Sequence, residues 1–303
     1  AKGEIIDPIN PETGKSWGWS DVADLNYDNQ GLRAAMTADM LHWIKNENID
    51  GFRCDVAGNV PLDYWQQAIP QLRKEKNIFM LAEAWEPELL KEGLFDMAYG
   101  WEAHHTMNRI AQGKNTVKDW DKFMAENDIK YSSDDILMNF VDNHDENSWN
   151  GTIKGRLGKG EEAMTALSYI MPGMPLIYSG NEYGLSHSLK FFEKDSIPKI
   201  KGKDWELRAK LGKLKTENTA LNGGKNKAKY TRIKTDDDTN ILAFTREKNG
   251  KKVVYIANFS NNPINTKVDI TGEFTNYMTG KIMGMNEKQM FSMKPWQYYI
   301  LME

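Results

Sequence analysis

The sequence predicts an α/β architecture, in which parallel strands alternate with helices, followed by a smaller all-β region. Three observations carry this expectation. Short apolar runs of strand length recur at residues 49–56, 78–83, 94–98, 136–141 and 175–179. Segments of helical period lie between several of them. Beyond Asn222-Gly223-Gly224-Lys225, a loop signal, the pattern changes to closely spaced strands.

In chain order, residues 1–19 are polar, rich in Gly and Pro, and read as loop. Residues 28–48 carry Leu32, Met36, Met40, Leu41 and Ile44 at three- and four-residue steps, the period of a helix with one buried face. The strand at 49–56 is unusual in carrying charges. Side chains alternate across a strand, so Arg53 and Asp55 share one face while Phe52, Cys54 and Val56 share the other. A cation two residues away favours the ionised carboxylate against the cost of burial. An ionised, oriented carboxylate is what a nucleophile requires, although a structural ion pair explains these residues equally well by themselves. Cys54, on the other face, reads as a small packing residue.

Residues 61–74 place Trp65, Ala68, Ile69 and Leu72 on one helical face, and residues 117–126 do the same with Trp120, Phe123 and Met124. A helix over 161–171 is fenced by Pro172 and Pro175. Residues 204–215 form a basic amphipathic helix whose lysines are expected to be solvated. In the tail, apolar runs at 241–246 and 253–258 flank Lys248-Asn249-Gly250-Lys251, a hairpin signal, and 296–301 supplies a closing strand.

The strand at 78–83 repeats the design of the first, ending in Glu83 with Trp85 just beyond, and the strand at 136–141 runs into Asp142-Asn143-His144-Asp145. Three apolar strands that each deliver an acid at the C-terminal end form the pattern of the catalytic face of a (β/α) barrel.

These stretches, Gly51-Phe52-Arg53-Cys54-Asp55, Ala82-Glu83-Ala84-Trp85 and Phe140-Val141-Asp142-Asn143-His144-Asp145, resemble the second, third and fourth signature regions of the alpha-amylase family of glycoside hydrolases. Val22-Ala23-Asp24-Leu25-Asn26 is similar to a further motif near the end of that family's inserted domain, and Pro175-Leu176-Ile177-Tyr178-Ser179-Gly180-Asn181-Glu182 to the motif on its last barrel strand. The resemblance covers nearly the whole chain. It implies a TIM-type (β/α)8 barrel represented by its fourth to eighth strands, five of eight. Residues 1–27 would end the inserted loop domain, 28–221 would be the C-terminal part of the barrel, and 222–303 a small C-terminal β-sandwich domain.

The resemblance also implies roles. Asp55 would be the nucleophile of a retaining hydrolase, Glu83 the general acid and base, and Asp145 the acid that stabilises the transition state. Arg53, His144, Asn143 and Trp85 would contact the substrate or hold the acids, with His144 donating to sugar hydroxyls. Glu83 is expected to keep its proton through its proximity to the other two acids. The substrate would be an α-glucan or malto-oligosaccharide. A glucan transglycosylase using the same acids and a noncatalytic carbohydrate-binding fragment are the alternatives. A structural calcium enters only weakly, through Asp24 and Asn59, because the family's usual Lys-His pair is Gly58-Asn59 here. The first three barrel strands would be supplied elsewhere, and the 303-residue chain alone is expected to be inactive or nearly so. The resemblance favours a secreted or periplasmic setting, which the lone Cys54 does not decide.

Composition excludes more than it assigns. A net charge of −4 provides no basic field for nucleic acid, and no apolar run reaches membrane-spanning length. Ten tryptophans and twelve tyrosines suit a surface that stacks on sugars, though most aromatic side chains serve cores.

Overall fold

The computed structural model describes residues 7–10, 13–19, 21–286 and 290–303. Parts of the expected 1–27 segment, residues 1–6, 11, 12 and 20, therefore lie outside the described residues. In the remainder of that segment Ile9 and Ser16 form an isolated bridge and Trp17 stacks on Trp19. Contacts divide the chain into two compact units, one reaching to Ala84 and including Lys91–Phe95, the other comprising Trp85–Leu90 and Asp96–Glu303.

The first unit holds α1 (Gln30–Lys45), β1 (Gly51–Cys54), α2 (Leu62–Glu75) and β2 (Phe79–Ala82). Asn29 caps α1, its side-chain oxygen accepting from the N–H groups of Gly31 and Leu32. The expected apolar stripe of α1 is only partly covered, apart from Ile44, whereas Arg33 and Thr37 are buried. Arg33 explains the difference: its guanidinium bonds Asp63 of α2 at 2.7 Å and the Tyr27 carbonyl at 2.6 Å. Helix α2 buries Trp65, Ala68, Ile69 and Leu72 as its spacing predicts, and Tyr64 with them. It links β1 to β2, which pair in parallel from Gly51 opposite Phe79 to Cys54 opposite Ala82. Cys54 is buried, and burial pushes its thiol up to about 12, so it packs as an inert side chain.

The second unit continues the alternation with β3 (Met97–Tyr99), α3 (Trp101–Ala111), α4 (Val117–Lys130), β4 (Leu137–Asn139), α5 (His144–Trp149), α6 (Ile153–Leu157), α7 (Glu161–Ile170), β5 (Met174–Pro175) and α8 (Lys203–Glu217). Strands β3, β4 and β5 pair in parallel. The ladders are shorter than the apolar runs that announced them; β5 covers two residues before the chain turns toward Gly180, whose φ is +97°. Helix α3 has no counterpart in the sequence expectation. Its buried face includes His104 and Thr106 among Ala103, Met107 and Ile110, and two polar residues mask the apolar period.

The chain then forms β6 (Lys229–Arg232), β7 (Ile241–Lys248), β8 (Lys251–Asn258), β9 (Ile264–Thr266), β10 (Gly272–Asn276), β11 (Ile282–Met285), β12 (Phe291–Met293) and β13 (Tyr298–Met302). An antiparallel sheet runs in the order β11-β10-β13-β8-β7-β6, and β9 pairs with β12. The expected hairpin is β7–β8, with Asn249 at φ +53° and Gly250 at +73°, the left-handed pair of a type I′ turn. Both faces of this hairpin are covered. Leu242, Phe244, Val253, Tyr255 and Ala257 join the core built by α3, α4, α6, α7 and α8, while Ile241, Ala243, Val254 and Ile256 pack with Phe291 and Met293. Burial on both sides is why these strands read as apolar runs rather than as strict alternation. The second layer of the tail is the short β9–β12 ribbon.

Candidate active site

In the first unit the chemistry lies just past the ends of β1 and β2. Continuing their register by one residue sets Asp55 opposite Glu83, with Arg53 on the same face two residues back. Neighbouring strands stand about 4.8 Å apart. The Arg53 guanidinium is paired with both acids: Nη1 with Asp55 Oδ1, and Nη2 with Glu83 Oε1 at 2.8 Å. Sequence reasoning paired Arg53 with Asp55 and missed Glu83; the signal was the shared face of two adjacent strands, which becomes visible once the register is known. Beyond Asp55 the backbone of Val56 adopts φ +43° and ψ +42°. A β-branched residue is strained there. That turn aims the Val56 N–H at Glu83 Oε2, 2.8 Å away, while the ladder continues through Glu83 N–H to Cys54 O and Ala57 N–H to Glu83 O. Asp55 is exposed, whereas the Glu83 side chain keeps 13% of its surface.

In the second unit Asn143, His144 and Asp145 open α5. His144 Nε2 lies 3.5 Å from Asp145 Oδ2, and both side chains reach solvent. Asn143 does not share that exposure. It is buried, its Oδ1 accepts from the Glu146 N–H at 2.7 Å as the helix cap, and its Nδ2 has no hydrogen-bond partner among the described residues. The sugar contact expected of Asn143 thus meets a side chain already engaged as a cap. Trp85 is more than half exposed, and its carbonyl accepts from the Tyr131 hydroxyl at 2.7 Å.

A buried polar network that the sequence did not disclose lies beneath α5. Asp142 accepts from Arg156 Nη2 at 2.7 Å and from Asn181 Nδ2 at 3.1 Å. Burial nevertheless raises its carboxyl above the usual range, against the opposing pull of Arg156. Arg156 also binds the Val141 and Gly151 carbonyls and the side chain of Asn108. Glu146 meets His104 Nε2 at 3.0 Å; burial would raise its carboxyl, but His104 and Arg156 outweigh it and hold Glu146 below its ordinary value. His104 in turn contacts the Phe140 carbonyl, so this network clamps the chain from Phe140 to Glu146 around the partly exposed His144 and Asp145.

Asp24 is exposed, and among the described residues no three His, Cys, Asp or Glu side chains group to hold a metal. Calcium takes six to eight oxygens. Asp24 and the Asn59 carbonyl do not by themselves make up such a site.

Parallel strands joined by helices, with an acid just beyond each of several strand ends, belong to the (β/α)-barrel class. Residues 17–251 match the alpha-amylase catalytic domain, and the chain belongs to the alpha-amylase family. It is 21% identical over 277 residues to alpha-amylase MalA of Haloarcula japonica, covering 90% of this chain and 40% of that protein. It is 25% identical to the intracellular maltogenic amylase of Bacillus subtilis, covering 80% and 42%. The chain therefore spans about two fifths of the length of these curated relatives. Among solved structures, the maltogenic alpha-amylase AmyB of Thermotoga neapolitana superimposes with a TM-score of 0.82 at 24% identity, over 97% of this chain and 71% of that one. An alpha-amylase from Lactobacillus plantarum gives 0.80 at 22% identity, over 96% and 71%. The fold is thus that of a TIM-type barrel with a C-terminal β domain. No helix among the described residues is long and apolar enough to cross a membrane.

Proposed function

We propose that the chain carries the catalytic acids of a retaining glycoside hydrolase acting on α-linked glucans. One observation carries this reading: a single guanidinium, Arg53, pairs with the acids that follow two adjacent parallel strands, Asp55 and Glu83. Retaining chemistry needs its two carboxyl groups about 5–5.5 Å apart, close to the spacing of neighbouring strands. In the proposed reaction Glu83 gives its proton to the glycosidic oxygen as Asp55 attacks the anomeric carbon; the C–O bond breaks and a glycosyl ester forms on Asp55. Glu83 then takes a proton from water, which attacks the anomeric carbon of this glycosyl ester; the bond from that carbon to the Asp55 oxygen breaks and Asp55 leaves as the carboxylate. Asp145 stabilises the positive charge that develops on the sugar, and His144 and Trp85 contact its hydroxyls and ring.

Both Glu83 oxygens act as acceptors, toward Arg53 and the Val56 N–H. Names among the relatives support the substrate class, since they include maltogenic amylase, cyclomaltodextrinase and 4-alpha-glucanotransferase. The transferases would differ in whether a sugar hydroxyl or water intercepts the ester. A noncatalytic role would leave the three acids without a chemical purpose. We also propose that β1 to β5 work as the fourth to eighth strands of a complete barrel, whose first three strands supply the remaining wall; the greater length of the relatives supports this.

The test uses the enzyme with its complete barrel. Asp55→Asn should abolish turnover on every substrate, with a loss of about 10⁴-fold or more. Glu83→Gln should retain far more activity on an aryl glycoside with a good leaving group than on starch, because a departing aryl oxide needs no proton. Equal losses on both substrates would remove Glu83 from the acid role.

A further inference from the structure

The geometry points to an aromatic platform formed by Trp149, Phe191 and Phe192 that binds an α-glucan chain extending away from His144 and Asp145. The three side chains are 60%, 43% and 70% exposed, yet they touch: the ring centroid of Phe191 lies 5.1 Å from that of Trp149 and 4.9 Å from that of Phe192. Scattered exposed apolar residues are ordinary, whereas three rings clustered in water mark a binding surface.

The platform is held in place by polar groups. Asn147, buried within α5, accepts from the Leu189 N–H at 2.8 Å and donates to the His187 carbonyl, fastening the loop that carries both phenylalanines onto the helix that carries Trp149. Asp195 accepts from the N–H groups of Ser196 and Lys190, contacts that hold its carboxyl below the usual range and close the loop on itself. The rings are therefore presented in a fixed arrangement before any ligand arrives, which lowers the ordering cost of binding.

Continuity and chemistry identify the occupant. Helix α5 begins at His144 and ends at Trp149, a rise of about 7.5 Å. Asp145 and Trp149, four residues apart, share one face of this helix, so the platform continues from Asp145 along α5. Lys190 and Glu193, themselves paired at 2.7 Å, stand beside the phenylalanines and offer donors and acceptors at the rim. A pyranose presents an apolar C–H face to a ring and hydroxyls around its edge, so it can use both features. An apolar protein face would instead desolvate the charged rim.

This inference rests on the α-glucan reading, and its test separates the two. In the enzyme with its complete barrel, maltoheptaose binding is measured by calorimetry, and kcat/KM is compared for maltoheptaose and maltotriose. Phe192→Ala and Trp149→Ala are expected to weaken maltoheptaose binding and to lower the long-over-short kcat/KM ratio, each by about tenfold. Phe192→Tyr, which keeps a ring, should preserve both. Unchanged affinity and ratio in the two alanine variants, with hydrolysis intact, would overturn the platform and leave the α-glucan reading standing. Wild-type enzyme that neither binds nor cleaves maltoheptaose would overturn both. If Phe192→Ala instead dissolves a dimer seen by sedimentation and leaves glucan affinity unchanged, the patch is a self-association face and the proposal falls.

Discussion

Lys215 shows how strongly burial acts on single side chains in this protein. Its Nζ donates to the Gly173 and Leu221 carbonyls at 2.7 and 2.8 Å, and burial, with Arg246 nearby, lowers its pKa from 10.5 to about 7. Below pH 7 the amine is charged in both folded and unfolded chains, and the full penalty of burying that charge opposes folding. Between pH 7 and 10.5 the unfolded chain binds more protons than the folded one, so stability rises with pH through that window, by roughly 4–5 kcal/mol from this group. Urea unfolding at pH 7 and pH 9.5 should show this rise in the wild type and a flatter profile in Lys215→Met. An unchanged slope would mean that Lys215 stays hydrated and charged in the folded chain. At the same scale, the positions of Arg53, Asp55, Glu83, His144 and Asp145 at or past the strand ends were legible because each sits at or beside the end of an apolar run. His104, Arg156 and Asn181 were not, since nothing local separates a buried polar residue with partners from a surface one.

Among the elements, β1 depends on one glycine. Gly51 has φ +149°, and a Cβ added there would lie 1.8 Å from the backbone oxygen of Phe79. No side-chain adjustment relieves a backbone clash. Gly51→Ala should therefore force β1 and β2 apart and cost at least about 3 kcal/mol, carrying Arg53 away from Glu83. Thermal unfolding would measure the first effect and loss of glucan hydrolysis the second; a stable, active variant would show that the β1–β2 register is not what aligns the acids. Helix α2 was read correctly because its buried face is apolar throughout, with Trp65, Ala68, Ile69 and Leu72 at helical steps. Helix α3 escaped because tertiary partners make His104 and Thr106 interior residues. The strand ends moved by a few residues for a related reason: apolar runs continue past the hydrogen-bonded ladder into turns that are themselves buried, as Phe140 and Val141 do after β4.

At the scale of the molecule, the second unit is a single packing problem. The Tyr255 hydroxyl on β8 donates to the Ala163 carbonyl of α7 at 2.7 Å, Arg246 on β7 reaches the Ile170 carbonyl that ends α7, and Phe244 is wholly buried in the core that the sheet shares with α3, α4, α6, α7 and α8. Phe244→Ala should cost about 3–5 kcal/mol. Because the core is common to both, the far-ultraviolet helix signal and the fluorescence of the buried Trp296, the tryptophan of the β tail, should shift to lower denaturant together. Two separated midpoints would instead make the composition change near residue 222 a thermodynamic boundary as well as a sequence one. The sequence by itself determined the alternation of strands and helices, the β7–β8 hairpin and the acids at the strand ends. Those features follow from side-chain periodicity, turn chemistry and local charge, all read over a few residues. Tertiary structure alone decided that Arg53 serves two carboxylates, that Asn143 caps a helix, that Asp142 is anchored by Arg156, and that Trp149 meets Phe191 and Phe192. Each of these joins residues from different elements, or turns on which atoms are withdrawn from water, and such relations depend on how the chain packs rather than on the order of its residues.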